Sequence, residues 1–90
     1  MRLWGKLLVS GEKVAESLVE INIIKRAELR NHREVFDTAL TELAKSLDIS
    51  RPIIMKKHYD EMQGFSRTSF SPSDFLDAVL FDRFTVEIIP

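Results

Sequence analysis

The sequence predicts a single α+β domain in which helices cover one face of a three-stranded sheet. Apolar residues recur at spacings of three and four between 31 and 47, as in an amphipathic helix. Runs rich in β-branched and aromatic residues precede this segment and close the chain, as strands do. The 90 residues are 44% hydrophobic and 30% charged, which suits one small globular domain over 1–90.

The main amphipathic helix is predicted from Asn31 to Leu47. Asn31 is a favourable N-cap, and Glu34 stands three residues later, as a capping box requires. The segment before Pro52 is predicted to end the helix, because a residue that precedes proline resists helical geometry. The apolar stripe consists of Val35, Phe36, Ala39, Leu40, Leu43, Ala44 and Leu47.

An N-terminal β-hairpin is predicted before this helix. Residues 1–9 form its first strand, with Trp4 and Leu8 on the face opposite Leu3 and Leu7. Residues 10–13 form the turn, and 14–24 form the second strand. A long helix is the alternative for 14–30, since several apolar residues there also fit helical spacing. The β-branched content of this segment favours the strand.

Two short helices and a strand are predicted after the main helix. The first short helix covers 56–62 and stops near Gly64. Residues 65–70 are interpreted as a loop pinned by two phenylalanines. The second short helix begins at Ser71, with Pro72 in its first turn, and carries Leu76 and Leu80 among its apolar residues. Residues 84–89 form the last strand.

The first strand is the most apolar, so it is predicted to be the central one, flanked by the second and the last. The last strand is expected to run antiparallel to the first. Trp4 and Leu8 would then be partly exposed on the sheet face that the helices leave uncovered, and they are the candidate interface residues.

Several short motifs resemble a family of short bacterial proteins that begin with a Leu-Trp-Gly-Lys or Leu-Trp-Gly-Arg segment. They are the opening Arg2-Leu3-Trp4-Gly5-Lys6, the helix with Phe36 and Leu40, Arg51-Pro52-Ile53, and the ending Phe81-Asp82-Arg83-Phe84-Thr85-Val86. The likeness covers nearly the whole chain. That family has no established function, so the resemblance implies a cytoplasmic bacterial protein and assigns no catalytic residue.

The leading functional hypothesis is a non-enzymatic protein-interaction module that self-associates through Trp4 and Leu8. The alternative is a nucleic-acid-binding accessory protein, in which Lys56, Lys57 and Arg67 would contact phosphates. A net charge of −1 gives no overall attraction to nucleic acid or to an anionic membrane.

No catalytic, cofactor or metal site is predicted from the residues. The chain has no cysteine, which excludes thiol nucleophiles and cysteine-ligated metals and favours a cytoplasmic location. The cluster His58 to Glu61 is interpreted as a solvated helix face, and a minor enzyme that uses His58 is the third hypothesis. No stretch is long and apolar enough to be a signal peptide or a membrane span.

Overall fold

The computed structural model describes residues 2–21 and 33–89. The elements are β1 (Arg2–Val9), β2 (Glu12–Glu20), α1 (Arg33–Ser46), α2 (Lys56–Phe65), β3 (Arg67–Phe70) and β4 (Arg83–Ile89), with one 3-10 turn at Pro72–Asp74. The prediction of an α+β fold is confirmed.

The sheet has four strands in the order β2-β1-β4-β3, and every neighbouring pair is antiparallel. The first strand therefore lies between the second and the last, as predicted, and the last runs antiparallel to it. The prediction of three strands is wrong, because residues 67–70 form β3 instead of a loop. Thr68 and Phe70 point into the core there, while Arg67 and Ser69 point outward.

The β1–β2 hairpin is closed by two residues, Ser10 and Gly11, whose φ angles are 52° and 81°. Two successive positive φ angles give the turn a twist that matches the right-handed twist of the strands. The register shifts between Leu7 and Leu8, which marks a β-bulge. The long-helix alternative is wrong for residues 14–20, which lie in β2. After Ile21, the predicted strand and the alternative helix both extend into residues outside the described ranges.

α1 packs its apolar stripe on one face of the sheet. Its buried residues are Phe36, Ala39, Leu40, Leu43 and Ala44. A Cβ atom at Gly5 would lie 2.5 Å from Leu43 Cδ2 and 3.0 Å from Phe84 Cε1, so the glycine permits the close approach of helix and sheet. The predicted cap at Asn31 lies outside the described residues.

The chain leaves α1 in a left-handed turn at Asp48, whose φ angle is 57°. The backbone N–H of Ile49 donates to the carbonyl of Ala44 at 2.9 Å, and that of Asp48 donates to Lys45 at 3.1 Å. These two bonds satisfy carbonyls that a helix end leaves without partners. The helix thus stops several residues before Pro52.

α2 packs beneath β3 on the same side of the sheet as α1. It continues through Gly64, which was the predicted stop, and ends when Ser66 adopts a left-handed φ of 61°. The N–H of Ser66 then donates to the carbonyl of Met62 at 2.9 Å. Met62 and His58 are the buried residues of this helix.

The second predicted short helix is wrong beyond its first turn. Ser71 and Pro72 do begin a turn, in which the N–H of Ser71 donates to Asp74 Oδ2 at 2.9 Å, but the turn ends at Asp74. Residues 75–82 follow an irregular path. Phe75 and Phe81 are buried in edge-to-face contact at 5.2 Å.

Candidate functional site

The sheet face opposite the two helices carries polar, basic and apolar side chains that are half-buried or exposed. Trp4 and Leu8, the candidate interface residues, both lie on this open face and are half-buried. Pairing with the neighbouring strands places Trp4 between Leu18 of β2 and Glu87 of β4. β1, β2 and β4 therefore each contribute a residue to the open face around Trp4.

Trp4 is fixed by contacts with other side chains of the open face. Its indole Nε1 donates to Glu16 Oε1 at 2.9 Å, and the ammonium of Lys6 lies 4.2 Å from the ring centroid. Lys13 also contacts the Glu16 carboxylate. The hydrogen bonds from Lys13 and Trp4 lower the pKa of Glu16 below its ordinary value, so this carboxylate stays charged. The Trp4 ring is thus held against the β1–β2 hairpin.

β2 is an edge strand nine residues long, and β1 is its only strand neighbour in the described part of the chain. It exposes two large apolar side chains, with Val14 60% and Leu18 49% exposed. Leu18 stands directly opposite Trp4 on the open face. An edge of this length is a site at which another strand can pair.

An apolar groove lies at the turn end of the hairpin, on the helix side of the sheet. Its volume is about 370 Å³, and its walls include Val9, Val14, Ile49, Val79 and Leu80. Leu80 is 98% exposed, although the sequence places it on an amphipathic helix. Because Val14 of β2 lines the groove, the exposed apolar surface of the β2 edge extends into it.

A second concavity, of about 410 Å³, lies on the open face over β4 and β3. Three cationic side chains line it, from Lys6, Arg67 and Arg83, together with the carboxylates of Glu61 and Glu87. Phe65, 71% exposed at the end of α2, forms part of its rim. We call this surface the basic concavity.

The middle of the basic concavity is a row of polar residues across three strands. Thr85 of β4 pairs with Lys6 of β1 on one side and with Ser69 of β3 on the other. The Thr85 Oγ1 atom is buried and has no hydrogen-bond partner among the described residues. Arg83 and Glu87 flank Thr85 along the strand, on the same face.

His58 is not on a solvated helix face, as the sequence suggested, because its side chain is fully buried. Its ring lies 4.2 Å from the Phe70 ring, and its Nδ1 accepts a hydrogen bond from the Met55 N–H at 2.8 Å. Nε2 is 3.8 Å from Asp74 Oδ2 and makes no hydrogen bond with the described residues. Burial lowers the pKa of His58 below its ordinary value, and the weaker effect of Asp74 opposes this.

The basic residues of the nucleic-acid alternative are not all brought together. Lys56 and Lys57 begin α2, whereas Arg67 follows the end of that helix, about 14 Å farther along its axis. Lys56 also forms an ion pair with Asp60 at 2.9 Å. Only Arg67 of the three lines the basic concavity, where it joins Lys6 and Arg83, which sequence reasoning missed.

Comparison with known proteins gave no match to a family model, a curated protein or a solved structure. Within residues 2–21 and 33–89, no helix has the length and apolar character needed to cross a membrane. No group of three or more potential metal-ligating side chains occurs in the same residues.

Proposed function

We propose that this chain is a non-enzymatic protein-interaction module that binds a second copy of itself along the free edge of β2. The observation that supports the proposal is the nine-residue edge strand with its exposed Val14 and Leu18. Backbone groups along such an edge can add a strand from another chain, and apolar side chains beside the new pair would lose contact with water.

Two identical edges form a self-complementary contact when a two-fold axis relates them. An antiparallel pair centred on Ser17 would set Glu16 of one copy beside Leu18 of the other, so that no glutamate faces its own equivalent. Trp4, which stands opposite Leu18 within each chain, would then lie one strand away from the junction. This arrangement gives Trp4 a supporting role and makes Leu18 the main apolar contact of the interface.

The titratable cluster at the start of α2 supports a role without catalysis. His58 is buried, its Nδ1 is occupied by the Met55 N–H, and it lines neither the apolar groove nor the basic concavity. A general base must reach the proton that it removes, directly or through one water. His58 is instead used to cap a helix.

The test is the molar mass in solution, measured by light scattering over a wide range of concentration. We expect the mass to rise from that of the monomer to that of the dimer as the concentration increases. Leu18→Lys should raise the concentration at the midpoint of this change at least tenfold, because an edge lysine discourages strand pairing. Trp4→Ala should produce a smaller shift in the same direction.

Leu76→Lys is the matched control, since Leu76 is 89% exposed and lies neither on β2 nor in the apolar groove. It should leave the association midpoint unchanged. A monomer at all concentrations, or a dimer that Leu18→Lys and Leu76→Lys weaken equally, would refute the proposed interface.

A further inference from the structure

We propose that the basic concavity binds a nucleoside monophosphate, with the phosphate held by Lys6, Ser69, Arg83 and Thr85. This site lies over β4 and β3, whereas the proposed self-association uses the opposite edge of the sheet. The two proposals therefore concern different surfaces and can fail separately.

Strand alternation and cross-strand pairing bring these four residues together. Arg83 and Thr85 are two residues apart on β4 and so project from the same face. Lys6 and Ser69 are the direct partners of Thr85 on its two sides. Two cations and two hydroxyl groups are thus gathered on one rigid surface, which is the chemistry that a phosphate group requires.

The hydroxyl of Thr85 is the most specific feature of the site. A threonine on an open sheet face normally bonds to water or to a neighbouring side chain, but Oγ1 here is buried and has no partner among the described residues. A buried hydroxyl without a partner is destabilising. A phosphate oxygen that displaces the atoms covering Oγ1 would accept its hydrogen bond and remove that cost.

The carboxylates of the concavity are placed away from the phosphate end. Glu61 accepts a hydrogen bond from the Thr68 hydroxyl at 2.6 Å, at the side of the concavity formed by α2. Glu87 pairs across the sheet with Arg67, one row farther along β4 than Thr85. In the row of Thr85, Lys6 lies between that residue and Glu16 of β2, and Arg83 lies one row from Thr85 on the side away from Glu87.

Phe65 supports a ligand with a ring attached to the phosphate. Its side chain is 71% exposed and forms part of the rim of the concavity, at the end of α2. Exposed aromatic rings next to cations are surfaces on which nucleobases stack. The volume of about 410 Å³ falls in the range of small-molecule sites.

A nucleic-acid strand fits the described surface less well than a single nucleotide. Binding a polymer requires a basic track that continues over several phosphates. Lys56 and Lys57 lie at the far end of α2, the acidic residue Asp60 lies on the helix between them and the concavity, and Glu61 lines the concavity itself. The cations of the site thus form a local cluster that matches one phosphate group.

The experiment follows backbone amide shifts by NMR while adenosine 5′-monophosphate is added in a phosphate-free buffer. Ribose 5-phosphate, adenosine, inorganic phosphate and single-stranded oligoadenylate are added in parallel. We expect the monophosphate to shift the amides of Lys6, Ser69 and Thr85, ribose 5-phosphate to bind more weakly at the same amides, and adenosine alone to leave them unchanged.

Arg83→Gln and Thr85→Val test the site itself. Arg83→Gln removes a positive charge, Thr85→Val removes a hydroxyl donor, and each should weaken binding of the monophosphate about tenfold. Lys57→Gln removes a cation elsewhere and should leave the affinity unchanged. The dispersion of the amide spectrum shows whether each variant is folded, and Thr85→Val keeps the shape of the side chain.

Three results would overturn the proposal. The first is the absence of any shift at these amides with the monophosphate at millimolar concentration. The second is equal weakening by Arg83→Gln and Lys57→Gln, which would mean a general charge effect. The third is binding of oligoadenylate alone, with a strong salt dependence, which would identify a nucleic-acid surface instead.

Discussion

His58 Nδ1 accepts a hydrogen bond from the backbone N–H of Met55 at 2.8 Å, and this bond joins the third residue of α2 to its N-cap. Only an unprotonated Nδ1 can accept it, so the bond requires the neutral ring with its hydrogen on Nε2. The same ring contacts Phe70, whose ring in turn stacks on that of Phe84 at 5.7 Å. The helix cap and the core are therefore linked through one titratable group.

Stability should fall when the pH drops below 6.5, the ordinary pKa of histidine. Burial keeps the pKa of His58 in the folded chain below that value, so the unfolded chain binds the proton first. The contribution of the neutral ring is complete above pH 6.5 and is lost as the pH falls toward the folded pKa. Urea unfolding between pH 8 and pH 5 measures this change.

The control for the pH effect is His58→Asn, whose amide oxygen can accept the Met55 N–H but does not titrate. Its free energy of unfolding should vary less with pH over the same interval than that of the parent chain. Equal pH dependence in the two proteins would show that another group, such as a carboxyl or His32, is responsible.

Gly5→Ala should lower the free energy of unfolding by about 1–3 kcal/mol, because the added methyl would overlap Leu43. Leu43→Ala, which leaves a cavity, should by itself cost about 2–5 kcal/mol. The double variant should lose less stability than the sum of the two single changes. Truncating Leu43 removes the overlap with the added methyl, and that methyl partly fills the cavity that the truncation leaves. Additive losses in urea unfolding would mean that α1 does not approach the sheet at Gly5.

Phe36→Ala should cost about 3–5 kcal/mol, because Phe36 is buried under α1 and packs edge-to-face on Tyr59 at 5.9 Å. Leu80→Ala should change stability by less than about 0.5 kcal/mol, since Leu80 is almost fully exposed. Thermal unfolding of the two variants checks the contrast. A larger loss at Leu80 than at Phe36 would mean that the core is assigned wrongly.

The ionisation of Tyr59 should have its midpoint near pH 12 in the folded protein. Burial and the hydrogen bond that its hydroxyl donates to Asp37 at 2.7 Å raise the pKa from 10.0 to about 12. The unfolded chain therefore releases this proton first, and stability should decline above pH 10. Tyr59 is the only tyrosine, so ultraviolet absorbance reports it directly.

Asp37→Asn removes the carboxylate charge beside Tyr59 and should bring the phenol midpoint closer to 10. Glu42→Gln, a neutralisation at an exposed residue on the same helix, should leave it in place. A tyrosine that ionises near 10 in the folded parent protein would contradict the contact between α1 and α2.

Periodicity was enough to predict the elements in which apolar residues recur at a regular helical or alternating spacing. All buried residues of α1 belong to the apolar stripe, in which Val35 and Leu47 are half-buried. β1 buries Leu3, Gly5 and Leu7 while it leaves Trp4 and Leu8 half-buried. The central position of β1 also followed from its two apolar faces. In these segments local pattern and tertiary packing agree.

Prediction failed where long-range pairing decides the structure. Arg67–Phe70 is short and rich in polar residues, which is typical of a loop, but pairing with β4 makes it a strand. The signal in the sequence is the alternation of Thr68 and Phe70, which are larger or β-branched, with Arg67 and Ser69. Residues 75–80 show helical spacing, yet burial of Phe75 against Phe81 holds them in an irregular path.

The basic concavity could not be predicted without β3. Arg67 and Ser69 reach the open face only because β3 pairs with β4, and Arg83 joins them because it begins β4. The charged residues around His58 predict a solvated position, whereas its ring contacts Phe70 in the core. Local composition describes a helix as a whole better than it describes one residue on its buried side.

Amide hydrogen exchange along β2, measured at low and at high protein concentration, tests the proposed self-association most directly. The N–H groups of Glu12–Glu20 that point away from β1 should exchange quickly in the dilute protein and become protected as the concentration rises. Leu18→Lys should abolish that protection. Rapid exchange of these amides at every concentration, with or without a dimer, would contradict the account.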